Sequence, residues 1–164
     1  LKAGDFAGGN ERWSPQISVG AAVLIPETYV PDLQLRLSLY RRLADLEETA
    51  DIEAFAAELI DRFGPLPEEV DHLLKIVFIK GLCVKANIAK LDAGPKGLVI
   101  AFRDSEFPNP AGLLKWISDQ STLAKVRPDQ TVFIQRDWAE AEKRIKGSAV
   151  VAQKLARIAS EAAN

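Results

Sequence analysis

The charged residues with the clearest helical spacing lie in one run, Glu58-Leu-Ile-Asp-Arg-Phe-Gly64-Pro-Leu-Pro67. On a helix that turns about 100° per residue, Glu58, Asp61 and Arg62 project from the same side. Glu58 and Arg62 stand i, i+4 in the acid-first order that favours an ion pair along a helix. The same pattern also describes a solvated helix face, and that is the more common use of such charges.

Little else in the chain suggests a catalytic centre. There is no GxxxxGK[ST] phosphate loop, no GxGxxG, HExxH or GxSxG, and no Cys–His arrangement. The carboxylate pairs Glu47/Glu48 and Glu68/Glu69 fall at helix starts or connections, where capping accounts for them. His72 is the single histidine, with no cysteine near it; this predicts no metal site and a surface position early in a helix. Cys83 is the single cysteine, which excludes an intrachain disulfide and any multi-cysteine zinc site. Its apolar neighbours predict a buried, inert thiol rather than a nucleophile.

The elements that carry these residues follow from periodicity and end signals. Ile52, Phe55, Ala56, Leu59, Ile60 and Phe63 form the apolar series of an amphipathic helix. Asp51 is its expected N-cap, and Gly64-Pro65 its stop. The helix before it starts at Pro31-Asp32. It carries two leucine stripes, Leu33/Leu37/Tyr40/Ala44 and Leu35/Leu39/Leu43, so burial on a wide front is expected. Arg36 falls between the stripes, where a charge needs a partner, and the expectation is a buried guanidinium bonded to a carboxylate or to helix-end carbonyls. Pro67 opens a third helix in its first turn.

The first fifteen residues are rich in glycine and polar side chains and lack periodicity, as a linker would. The chain begins at Leu1 and contains no methionine, which predicts a natural start elsewhere. The domain proper is expected over residues 16–164, with Ile17 to Pro26 forming a strand. After the third helix the pattern changes. Ile88–Asp92 and Leu98–Phe102 predict a hairpin around Gly94-Pro95-Lys96-Gly97. Asn109 and Pro110 start a short helix through Ile117, and Leu123–Arg127 and Thr131–Gln135 form a second hairpin. Asp137 is the expected cap of a long closing helix. Helices followed by paired strands give an α+β class, a small mostly antiparallel sheet packed with several helices in a single domain.

A hydrophobic content of 48% and a charged content of 27% are ordinary for a globular protein of 164 residues. No run of about 18 apolar residues suggests a membrane span, and there is no signal-peptide pattern. With the lone cysteine, these features suggest a reducing, cytoplasmic setting. Charge is uneven: residues 1–80 carry a net −6 and residues 81–164 a net +4, together −2. The basic second half could serve an accessory nucleic-acid-binding domain, although it lacks an aromatic platform for stacked bases.

Three separated motifs carry a family resemblance. Leu24-Ile-Pro-Glu-Thr-Tyr-Val-Pro-Asp32, Arg36-Leu-Ser-Leu-Tyr-Arg-Arg-Leu-Ala44 and the run from Glu58 to Pro67 are similar to the C-terminal domain of the bacterial transcription-repair coupling factor family. Lys90-Leu-Asp with Gly97-Leu-Val-Ile-Ala-Phe102, and the Thr131-Val-Phe-Ile-Gln135 strand, extend the match in the same order.

The resemblance implies a regulatory module of an ATP-driven DNA translocase that displaces stalled RNA polymerase and recruits the excision-repair protein UvrA. The ATP and magnesium sites would belong to motor domains elsewhere in the parent, leaving this domain without cofactor, metal or catalytic residues. It implies docking on the parent's N-terminal UvrB-like domain, which masks UvrA binding. Glu58, Asp61 and Arg62 are the implied contacts, while Arg36, Phe63, Gly64 and Pro67 hold the structure around them. On that reading the exposed acidic face becomes an interface candidate.

Overall fold

The computed structural model describes residues 13–161. The expected linker therefore lies largely outside the described residues. Strand β1 (Gln16–Ser18) is followed by helices α1 (Leu33–Ala44), α2 (Thr49–Phe63) and α3 (Glu68–Lys85), and by the hairpin β2 (Ile88–Gly94) and β3 (Gly97–Phe102). Then come α4 (Pro110–Asp119), strands β4 (Ala124–Val126) and β5 (Val132–Gln135), and the closing helix α5 (Ala141–Ser160). The sheet order is β1-β2-β3-β5-β4. β1 runs parallel to β2, and the other three pairings are antiparallel. The expected α+β class, with its mostly antiparallel sheet, is the observed one.

Two apolar clusters organise the packing. One joins the sheet to α5, to α4 and to the C-terminal half of α3, with Ile79, Leu91, Leu98, Ile134 and Leu155 fully buried. The other gathers Leu39 and Leu43 of α1, Ile52, Phe55 and Leu59 of α2, and Val70 and Leu74 of α3. α3 contributes to both clusters and ties the helical end to the sheet.

Several boundaries differ from the sequence reading, each for a local reason. The strand expected from Ile17 to Pro26 stops at Ser18. Gly20 turns with φ +63, and the carbonyls of Val19 and Gly20 accept from Arg144 instead of a neighbouring strand. α2 begins before Asp51. Glu48 is extended, and its carbonyl accepts from Asp51 and Ile52, which leaves Asp51 in the first turn, where its charge faces the positive helix end. Pro67 is the residue preceding α3 rather than its first, and its carbonyl accepts from Val70 and Asp71. α5 starts after Glu140, not at Asp137. Trp138 donates to Pro95, and the carbonyls of Trp138 and Ala139 accept from Arg144, so this stretch stays outside the helix. α4 starts as read: Asn109 Oδ1 accepts from the Gly112 amide at 3.1 Å, with Pro110 in the first turn.

α1 is buried on a narrower front than its leucines suggest. Leu39 and Leu43 are covered, but Leu33 and Leu37 stand 54% and 40% exposed, because only one side of the helix meets α2 and α3. Arg36 is half-buried and donates to the carbonyls of Val30 (2.8 Å) and Pro31 (3.1 Å). It pins the segment entering its own helix and pairs with no carboxylate among the described residues.

Candidate docking surface

α2 sets the direction of the charged face. Ile52, Phe55 and Leu59 are buried against α1 and α3, so the opposite side must look outward. Glu58 is half-buried there, while Asp61 and Arg62 are exposed. The C-terminal end of α2 is held by Tyr29, whose hydroxyl donates to the carbonyl of Gly64 at 2.7 Å and lies 3.1 Å from that of Leu59. The Tyr29 and Phe63 rings pack with centroids 5.7 Å apart. Gly64 has φ +97, a backbone state that a side chain resists. Phe63 thus packs on Tyr29, Gly64 closes α2, and Pro67 stands just before α3.

Around Glu58 the structure adds a residue that sequence reasoning missed. Arg42 of α1 donates Nη2 to Glu58 Oε1 at 2.6 Å and Nη1 to Oε2 at 2.8 Å. Arg62 donates Nη1 to the same Oε2 at 2.9 Å. The Arg42 guanidinium lies 4.9 Å from the Phe55 ring centre and that of Arg62 5.0 Å from the Phe63 ring centre, so both are steered by aromatic faces. Hydrogen bonding from Arg42 first, then from Arg62, holds the Glu58 carboxyl at about 2, well below its ordinary 4.5. The Asp61 side chain makes no hydrogen bond or ion pair among the described residues. The four charges sum to zero. Arg42 belongs to the polar arc of α1 beside Arg41, and nothing in that helix's own periodicity points at Glu58.

Two features outside this surface bear on other chemistries. His72 is buried at 3% exposure, not on the surface as expected, because α5 packs over α3. Its Nε2 lies 3.2 Å from Glu142 Oε2 and 3.7 Å from Glu68 Oε2. These three groups bring ligand-type atoms within 4.8 Å of one another. Lys75 also bridges Asp71 at 2.9 Å and approaches Glu142 at 4.0 Å, so the cluster is satisfied as a contact between two helices. The groove beside α4, of about 700 Å³, is lined mainly by apolar residues such as Phe102, Phe107 and Leu113, with Glu106 its one titratable group. The basic residues of the second half are spread over α4, β4 and α5. No helix among the described residues is long and apolar enough to cross a membrane.

Comparison with known proteins bears on the family. The family model "TRCF domain" matches residues 19–113. The transcription-repair-coupling factor of Rickettsia bellii is 43% identical over 130 residues, covering 78% of this chain and 11% of that protein. Its counterpart in Escherichia coli is 35% identical over 149 residues, covering 89% of this chain and 13% of that protein. The chain therefore spans about a tenth of the length of these curated relatives. A crystal structure described as the C-terminal domain of transcription-repair coupling factor superposes with a TM-score of 0.74 at 18% identity. The match covers 92% of this chain and 98% of that one, a likeness of fold.

Proposed function

This chain belongs to the TRCF domain family, and from that premise we propose that it is an autoinhibitory module of an ATP-dependent DNA translocase. In this reading the parent couples transcription to nucleotide excision repair in the cytoplasm. The module docks on the N-terminal UvrB-like domain of the same protein, masks UvrA binding, and restrains the motor until RNA polymerase is engaged. ATP, magnesium and DNA are handled by the motor domains, and this domain contributes surface rather than catalysis.

The observation that supports it best is the face of α2. A helix anchored by Phe55 and Leu59, and closed by Tyr29 on Gly64, presents Glu58, Asp61 and Arg62 outward on a rigid base. Rigid presentation lowers the ordering cost of association. Arginines on a partner are the natural complement to such carboxylates.

The test is a full-length parent carrying Glu58→Ala and Asp61→Ala. Folding should lose only about 1 kcal/mol with the Arg42–Glu58 pair, while docking weakens by about 2–5 kcal/mol if the carboxylates meet desolvated arginines. The closed form then loses population, and UvrA binds more readily without polymerase. Deleting the whole domain should act in the same direction. A double variant that binds UvrA no better than wild type, beside a deletion that does, would move docking to another surface.

A further inference from the structure

The docking reading treats Glu58 and Asp61 as two equivalent carboxylates, but their surroundings differ. Arg42 meets both oxygens of Glu58 end-on, as a two-point fork. Arg62 adds a second donor on Oε2. A carboxylate offers about four acceptor positions, two on each oxygen. Oε2 is therefore full, and Oε1 has one position left. An incoming guanidinium makes its strong two-point contact only where both oxygens have room. It cannot do so on Glu58 while Arg42 and Arg62 stay in place. Asp61 is exposed, with both oxygens open among the described residues.

Charge points the same way. Arg42 and Arg62 neutralise the two carboxylates, so a cationic partner approaching this face meets two guanidinium groups as well as its targets. Such like-charge contacts weigh against association at short range. The side chains of Arg42 and Arg62 are 46% and 41% exposed, so both are in reach of whatever docks.

We infer that Arg42 is an affinity-setting residue of this surface, an internal competitor that holds the fork position on Glu58. A partner presenting arginine side chains seats first on Asp61 and gains Glu58 only by exchange with Arg42. The inference rests on the docking reading above and adds a restraint to it. The module carries its own counter-ion, which keeps the docked state weak enough to be released.

The experiment titrates the purified 164-residue chain against the purified N-terminal UvrB-like domain, using calorimetry. Wild type is compared with Arg42→Ala, Arg42→Lys, Glu58→Ala, Asp61→Ala and the Arg42→Ala/Glu58→Ala pair, after thermal melts show each to be folded. Removing an exposed competing ion pair should tighten binding about two- to fivefold in Arg42→Ala. Arg42→Lys, which keeps the charge and loses the fork, should fall between it and wild type. The gain should be clearly smaller when Glu58 is also alanine, because no carboxylate is then released and only the screened repulsion by Arg42 is lost. Asp61→Ala should weaken binding. Binding that is unchanged or weaker in Arg42→Ala, beside a weakened Asp61→Ala, would overturn the competitor. So would a gain just as large without Glu58, since general repulsion would then account for all of it. A wild-type chain that shows no binding would instead overturn the docking reading itself, and the competitor with it.

Discussion

The Arg42–Glu58 pair makes a quantitative prediction about stability that needs no partner. A drop of the Glu58 carboxyl from 4.5 to about 2 corresponds to roughly 3.4 kcal/mol if every unit counted fully, at about 1.4 kcal/mol per unit. That figure must be cut heavily, because the Glu58 side chain is 34% exposed and that of Arg42 46%, and water screens pairs of this kind to about 1 kcal/mol or less. A double-mutant cycle of Arg42→Ala and Glu58→Ala, by urea unfolding at pH 7 and low salt, should therefore give a coupling of about 1 kcal/mol. The folded-state value is depressed, so the stabilisation is complete above the unfolded-state value and disappears as pH falls through the folded-state value. Less than about half of it should remain at pH 3. A coupling indistinguishable from zero at pH 7 would refute the pair as a stabilising contact. One undiminished at pH 3 would show that the carboxylate charge is not its source.

Three further outcomes are expected. Arg144→Met removes a buried guanidinium whose Nε, Nη1 and Nη2 serve the carbonyls of Val19, Gly20, Trp138 and Ala139; a loss of about 3–5 kcal/mol, and a melting point lower by about 10 °C, should follow in circular-dichroism melts. Gly147→Ala would ordinarily stabilise a helix interior by about 1 kcal/mol, but a Cβ there would run into the Trp138 ring at Cζ2, so denaturant titration should show a net loss of about 1–3 kcal/mol. Burial pushes the Cys83 thiol up to about 12, so the native protein should resist alkylation at pH 8 and take up one equivalent only after unfolding; fast labelling of the native state would place Cys83 within solvent reach.

What the sequence determined by itself was local. The apolar period of α2 and its Gly64-Pro65 stop, the Asn109 cap before Pro110, and the turn of the first hairpin at Gly94 to Gly97 are written within a few neighbouring residues. Each depends only on backbone preference and on which side of one element is apolar. The same logic set Glu58, Asp61 and Arg62 off the core. It also made Cys83 a buried thiol.

What only the tertiary structure decided was which elements meet. Helical periodicity assigns a residue to a face of its own helix and leaves open what lies across from it. Arg42 looked like one of several exposed charges until the crossing of α1 and α2 set it on Glu58. His72 passed for a surface residue until α5 covered it. Ile17 to Pro26 had the composition of a strand, yet Arg144, more than a hundred residues away, takes the carbonyls that a longer ladder would have used. A buried guanidinium needs acceptors wherever the fold can supply them, and those acceptors were backbone carbonyls, which carry no signature in the sequence.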